Sequence, residues 1–526
     1  MKRLVVCFDG TWNSPSQEDN GIPSPTNVYK ISRAIPEKDP TTGTKQLTYY
    51  HTGVGTEGGK ISKILDGAFG KSLGEHIMSG YHWLAQNYEE SPENDEIFLF
   101  GFSRGAFTVR SLSGMIGTVG LLNLEQSELN NSEKWEAINK GYTAYRKKGR
   151  KLIEFQKEYK DYFFNQGKPV DIKFIGVWDT VGAAGIPDDA ELLNAIFDKK
   201  HRWEFHNKKL GAHVKHARHA MALDEKRSSF TVTRWIEADD HQDMKEMWFP
   251  GVHSDVGGGY ADSSLSDIAL EWMIKEAEVP KIGLHFDDFI KKQLKPDPEG
   301  EMHNSFQGIF SALRSRPRNI PLINTNTASI HESVINRQDA RLIKYPEYWP
   351  TCSLDLEKKK STEIDVFAVK RWNYTGIYMN EGEEYIFSAD GEWVDRNDVC
   401  DWLGTEKDDD FTLGDIGRFF GTAWGKLEQI FEKGNKSTDF WGTKRVEQYD
   451  WFSMIGAIAN DKGEPDPVKN DGSPTPHTYI SLPEFQDTRH PYVVKHPGYF
   501  YAFTNDAWHF YNNNKGSIRL TIQRIK

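Results

Sequence analysis

A serine hydroxyl, a carboxylate and an imidazole together can carry out acyl transfer, and this sequence offers each in a setting that suits the work. Ser103 stands at the centre of Gly101-Phe102-Ser103-Arg104-Gly105. This is the G-x-S-x-G pattern of a nucleophile elbow, a sharp strand-to-helix turn on which glycines to either side let strand and helix approach closely. A serine hydroxyl is a poor nucleophile at neutral pH, so it needs a histidine to take its proton and a carboxylate to orient that histidine. Asp179 is the candidate acid, because the run DIKFIGVW ends directly at it and so delivers a carboxylate to the carboxyl edge of a sheet, where open α/β folds bind ligands. A helix cap or turn aspartate is the competing reading. His253 in WFPGVHSDVGGGY is the candidate base, since an aromatic strand runs into the histidine and three glycines follow. His331 in IHESVINR competes with it as base, and Asp255 competes with Asp179 as acid.

The oxyanion of a tetrahedral intermediate needs backbone donors, one from Arg104 after the nucleophile and one from the Gly10-Thr11 loop after an early strand. That loop, Asp9-Gly10-Thr11, also ends the phosphatase motif D-x-D-G-T. Cys7 occupies the position of that motif's first aspartate, and without it the phosphatase reaction has no nucleophile.

These residues require a sheet to hold them. Short apolar runs alternate with helical patterns from residue 1 to about 345, which predicts parallel strands joined by crossover helices. Strands are expected at Leu4–Phe8, Gln46–His51, Ile97–Phe100, Ile172–Trp178 and Glu246–Pro250. Leu73, Ile77, Tyr81 and Leu84 mark the buried stripe of one helix, and Ile268 with Trp272 marks another capped by Ser264 or Ser266. The charged, aromatic stretch Ser132–Lys168 reads as a cap over the site or as a solvated helical hairpin. His51, His213, His216 and His219 read as packing or helix residues.

From Tyr345 to Thr362 prolines and a lysine run mark a linker, taken as residues 346–362, after which residues alternate with period two, as in Tyr499, Tyr501 and Phe503. That pattern predicts an antiparallel β-sandwich over residues 363–526, interrupted by a helical insertion near 405–435. If the two domains are independent, catalysis should stay with residues 1–345. The loop from Asn505 to Ser517 gathers oxygen donors that suit calcium, Asp506, Asn513 and Asn514 with a backbone carbonyl near Phe510, and an Asn-rich turn is the competing reading.

The chain has 526 residues, 37% of them hydrophobic, with a formal net charge of −12. The length predicts about two or three domains. The acidic balance excludes binding to nucleic acid or anionic membrane by bulk charge. Three cysteines, Cys7, Cys352 and Cys400, supply no disulfide framework and suit a reducing cytoplasm. The start, MKRLVVCFDG, has too short an apolar run for a signal-peptide core, and no run reaches the roughly 20 apolar residues of a membrane span. Cytoplasmic synthesis is the expectation.

FDGTWN, GFSRGAF, GVWDTVGA, WFPGVHSDVGGGY and IHESV, in that order, resemble the bacterial and fungal α/β-hydrolase domain family that contains the type VI secretion lipase effectors of the first Tle class. The resemblance covers about residues 1–345. It implies an α/β-hydrolase fold and hydrolysis of phospholipid esters, with Ser103, Asp179 and His253 matching the family's triad blocks. It also implies delivery by type VI secretion to a target periplasm, with secretion-apparatus and immunity proteins as partners. An ester hydrolase of housekeeping metabolism is the alternative within the same fold.

GYFYAFTNDAW and YNNNKGS resemble the calcium loop of the small galactophilic lectins of the PA-IL type. That resemblance implies calcium held by Asp506, Asn513, Asn514 and the Phe510 carbonyl, and a carbohydrate partner, although the sugar-contacting His-Pro-x-Gln segment of those lectins is missing. A calcium- and carbohydrate-binding protein with the hydrolase fold as carrier is the alternative of a different class.

Overall fold

The computed structural model describes residues 1–10, 13, 16–53, 68–90, 93–125, 127–181, 209–235, 238–306, 315–340, 350–352, 354–357, 360–395, 398–405, 445–446, 448–460, 477–508 and 510–526. Thr11, nearly all of the helical insertion expected near 405–435 and part of the expected linker lie outside them.

The N-terminal part is built on a six-stranded sheet of β1 (Arg3–Phe8), β2 (Gln46–His51), β3 (Glu96–Phe102), β4 (Ile172–Trp178), β5 (Val214–Ala222) and β6 (Asp243–Phe249), in the order β2-β1-β3-β4-β5-β6. Every pairing is parallel. Both faces are buried, as parallel sheets require. Side chains alternate across a strand, so in β1 Leu4, Val6 and Phe8 join one core with α2 (Ala68–Asn87), α3 (Arg104–Val119), α4 (Asn131–Lys147) and α5 (Gly149–Glu158). Val5 and Cys7 join the opposite core with α1 (Asn27–Ala34) and α7 (Ser264–Glu278). The stretch from Ser132 is thus a helical hairpin whose Ala137, Ile138, Ala144 and Phe155 are buried in the first of these cores. Helix α7 begins one residue earlier than expected, with Ser263 at the cap position.

β5 is the strand that sequence patterning misses. Its residues VKHARHAMA carry charge where a central parallel strand ordinarily reads as an apolar run. The buried Arg218 is paired with Glu276 at 2.5 Å and Asp243 at 2.9 Å, and the buried His219 with Glu246 at 3.1 Å. Burial of these groups is tolerated because each is matched by an opposite charge or a hydrogen bond.

The C-terminal part holds two antiparallel sheets. One has the order β8-β13-β11-β12, from β8 (Asn373–Met379), β11 (Met454–Ala459), β12 (Thr478–Ser481) and β13 (Gly498–Thr504). The other has the order β10-β9-β14-β7, from β7 (Ser361–Phe367), β9 (Glu384–Asp395), β10 (Asp398–Cys400) and β14 (Asn514–Arg524), with a two-residue strand at Tyr492–Val493 also pairing with β9. Phe387 and Phe500 stack between the sheets at 5.6 Å, within a core that both sheets share.

β13 is buried along its whole length. Phe500 and Ala502 face the second sheet, whereas Tyr499, Tyr501 and Phe503 pack with Met221, Leu223, Trp248, Ile320 and Ile323 of the α/β part. The alternation read from sequence as part of an antiparallel sandwich therefore marks a strand between two cores. The two parts share a hydrophobic interface.

Candidate functional site

In a sheet ordered β2-β1-β3, the chain leaves β1 toward one side for β2 and toward the other for β3, which opens a crevice at the carboxyl ends of β1 and β3. Ser103 follows β3 at that crevice and Asp9 follows β1. Ser103 has φ 56° and ψ −121°, a conformation that costs of order 1–3 kcal/mol for a residue with a Cβ. The flanking glycines make the turn possible by close approach. A Cβ on Gly101 would lie 2.5 Å from the Gly105 carbonyl oxygen, and one on Gly105 would lie 2.1 Å from that of Phe8. Neither backbone can yield, so Gly105→Ala is expected to abolish soluble, folded protein. Its expression and melting profile beside wild type check this.

Asp179 follows β4 at the same edge, fully buried and with φ 37°. His253 opens the short helix α6 (His253–Gly257) after β6. The two meet: His253 Nδ1 is 2.6 Å from Asp179 Oδ2. The imidazole lies between the rings of Phe102, 4.5 Å away, and Phe230, 4.9 Å away. The three glycines after it have separate uses. A Cβ on Gly257 would strike the Phe102 ring at 2.0 Å, while Gly258 and Gly259 take φ of 83° and 120°.

The acid is held by three further hydrogen bonds. The Ala222 N–H donates to Asp179 Oδ1 at 2.9 Å, and Arg318 grips both carboxylate oxygens, Nη1 to Oδ1 at 2.6 Å and Nη2 to Oδ2 at 2.9 Å. The same guanidinium donates to the carbonyls of Ala222 and Phe230, both at 2.5 Å. Next to Asp179, the Thr180 N–H donates to His219 Nε2 at 3.1 Å, and His219 Nδ1 faces Glu246 at 3.1 Å. His219, read as a packing residue, thus braces the turn that carries the acid. Burial alone would push the Asp179 carboxyl up, but the Arg318 charge and the His253 hydrogen bond outweigh it and hold it well below the usual carboxylate range. Burial lowers His253 below the ordinary imidazole value against the opposing pull of Asp179. The ring is therefore neutral near pH 7, the form in which Nε2 accepts a proton.

The rivals are placed elsewhere. Asp255 pairs with His303 at 2.7 Å and also accepts the Val252 N–H at 2.9 Å. His331 caps α8 (Glu332–Asp339), with Nδ1 2.8 Å from Ser333 Oγ and its ring stacked on Phe249 at 4.6 Å. Among the expected oxyanion donors, Arg104 opens α3 directly after Ser103. The Gly10 N–H donates to Asp9 Oδ1 at 2.7 Å, while Asp9 Oδ2 accepts from Thr26 and Tyr50 at 2.7 and 2.8 Å, bonds that fix this loop. Thr11, the other donor expected here, lies outside the described residues.

Arg318 is the functional residue that sequence reasoning missed. It lies 139 positions from Asp179 in Ser315-Arg316-Pro317-Arg318-Asn319-Ile320, a basic, proline-broken stretch with no periodicity to mark it.

In the C-terminal part, Asp506 and Asn514 are both buried and joined by a 2.8 Å hydrogen bond from Asn514 Nδ2 to Asp506 Oδ2. The Ala507 N–H donates to Asp506 Oδ1 at 2.6 Å, and the Asn513 N–H to the Phe510 carbonyl at 3.2 Å. Asn514 Oδ1 is buried without a hydrogen-bond partner among the described residues. Asn505 is occupied otherwise, bonding Val446, Tyr449 and Asp450.

A parallel α/β sheet with a serine elbow and a histidine–aspartate pair at one edge defines a class of protein, and comparison narrows it. Residues 2–276 match the family model "T6SS, Phospholipase effector Tle1-like, catalytic domain", and the chain belongs to that family. It is also similar to the uncharacterized protein YEL023C of Saccharomyces cerevisiae, with 32% identity over 248 residues, 44% of this chain and 32% of the yeast protein. The chain therefore spans about a third of that relative's length. Among solved structures it is similar to an uncharacterized protein from Pseudomonas aeruginosa at 17% identity, covering 57% of this chain and 49% of the other with a TM-score of 0.34. No described helix is long and apolar enough to cross a membrane.

Proposed function

We propose that the protein is a serine esterase of α/β-hydrolase type that cleaves phospholipid esters as an effector delivered by type VI secretion. The observation that carries the reading is the 2.6 Å contact between Asp179 and His253 on the edge where the Ser103 elbow stands. In this reading His253 Nε2 takes the Ser103 proton as Oγ attacks the ester carbonyl carbon. The Nδ1–H donates to Asp179, which keeps the tautomer and stabilises the imidazolium. The tetrahedral oxyanion is met by the Arg104 N–H and a donor of the Thr11 loop. Collapse expels the alcohol with the proton returned by His253, and water repeats the sequence on the acyl-serine. Family membership supports a lipid as the ester. Incubation of the full chain with phospholipids that differ in head group and acyl position, with products read by mass spectrometry, tests it. Release of fatty acid and lysolipid is expected, and hydrolysis confined to small soluble esters would overturn the lipid assignment.

A second reading concerns calcium in the C-terminal part. The buried Asn514 amide beside the Asp506 carboxylate favours it, since its Oδ1 has no hydrogen-bond partner among the described residues. Turning the Asn514 amide over would aim that oxygen, with Asp506 and the Phe510 carbonyl, at one cation, as hard oxygen ligands for calcium demand. Calcium at millimolar concentration is then expected to raise the melting temperature of the full chain by mass action, magnesium much less, and Asp506→Ala should remove the shift. Equal melting curves with and without calcium would reduce the loop to an Asn-rich turn.

A further inference from the structure

Arg318 reaches the candidate acid from a segment that the C-terminal sheets hold in place. On one side of this strap, the Arg316 N–H donates to the Lys226 carbonyl at 2.5 Å and Ser315 pairs with Arg227, which ties the strap to the loop over His253. On the other side three anchors come from the sandwich. Trp372 Nε1 donates to Ser315, 3.0 Å from Oγ and 3.2 Å from the carbonyl oxygen. His477 Nε2 lies 2.7 Å from the Pro317 carbonyl oxygen. The Ile323 N–H donates to Tyr499 Oη at 2.9 Å, and Ile320 and Ile323 pack with Tyr499, Tyr501 and Phe503. Two of these anchors lie within three residues of Arg318. The family match ends at residue 276, so the strap and its anchors in the sandwich lie beyond the matched catalytic domain.

We propose that the sandwich is a working part of the hydrolytic site, holding the 315–323 strap so that Arg318 fixes the Asp179 carboxylate against His253. The inference rests on the Ser103, His253 and Asp179 reading given above. Its physical basis is the geometry of the fork. A guanidinium reads a carboxylate through two parallel hydrogen bonds in a fixed plane, and a site of this kind loses rate when its support loosens by about 1 Å. A proline-containing strap has few hydrogen bonds of its own, so its anchors decide where Arg318 stands. Trp372, His477 and Tyr499 are accordingly positioning residues that act through Arg318.

The electrostatic consequence separates this role from a merely structural one. The charged groups that face His253 are Asp179 from the end of β4, Glu225 and Arg227 from the loop after β5, and Arg318 from the strap behind Asp179. Removing the Arg318 charge leaves Asp179 unshielded, which stabilises the imidazolium and moves the acid limb of activity to higher pH.

The test uses the full chain and two readouts, the second-order rate of Ser103 labelling by a fluorophosphonate and the pH profile of short-chain ester hydrolysis. Arg318→Gln is expected to slow labelling about a hundredfold and to move the acid limb upward, whereas Arg318→Lys slows it with the limb in place. Trp372→Phe keeps an aromatic ring but removes the Nε1–H along with part of the indole, and is expected to slow labelling about tenfold with a modest drop in melting temperature. In the Arg318→Gln background Trp372→Phe should add little, because coupled residues are not additive. Trp372→Phe that labels at the wild-type rate, or that costs the same factor in both backgrounds, overturns the inference. Should Arg318→Gln fail to fold, Arg318→Lys serves as the background. Labelling that persists in Ser103→Ala would instead overturn the site reading itself, so the two failures are distinct.

Discussion

Replacing Ser103 with alanine is expected to lower ester hydrolysis by about a thousandfold or more, and His253→Ala by a comparable factor, because nucleophile and base act as a unit. The double variant should then be little worse than either single one. Folding should survive Ser103→Ala, since no hydrogen bond of the Ser103 hydroxyl occurs among the described residues. Ser103→Gly sharpens the test. It removes the hydroxyl and also relieves the φ of 56°, so it should be as inactive as alanine yet about 1 kcal/mol more stable than it. His331→Ala, which removes a helix cap and a ring stacked on Phe249, should cost no more than about tenfold in rate. Steady-state rates beside melting curves decide the matter, and a His331 variant as dead as His253→Ala would move the base.

What could be read in the sequence is what leaves a local pattern. Gly101 and Gly105 bracket Ser103 because two backbones nearly touch there, and that steric demand admits only one residue type. The glycine run after His253 is legible for the same reason, with Gly257 pressed on Phe102 and its two neighbours at positive φ. β1, β3 and β4 were legible because buried parallel strands are apolar runs. β5 was not, since Arg218 and His219 are matched by charges on Glu276, Asp243 and Glu246, and such pairing belongs to tertiary structure. Arg318 was invisible by the same logic. Chain order also gave no hint that Tyr499, Tyr501 and Phe503 face the α/β part rather than solvent.

Asp179→Asn is expected to fail in two separable ways, and the difference measures the Arg318 clamp. An amide cannot enforce the tautomer in which His253 Nδ1 donates, so the rate should fall by about a thousandfold or more. The substitution also strands the buried Arg318 guanidinium, whose four described hydrogen bonds include two to the lost carboxylate charge. Leaving one member of a buried ion pair uncompensated costs about 3–5 kcal/mol. Arg318→Met added to Asp179→Asn removes the stranded charge, so stability should return in large part while the rate does not. Acid titration supplies an independent sign. The folded-state pKa of Asp179 is held below its unfolded value of about 3.9, so its stabilisation is complete above that pH and is lost as pH falls toward the folded value. The Asp179→Asn, Arg318→Met chain lacks that titration, and its stability should vary less than that of wild type between about pH 4 and pH 2. Chemical denaturation across that range reads both effects. If Asp179→Asn unfolds at the wild-type midpoint, the guanidinium does not depend on the carboxylate charge, and the clamp serves position alone.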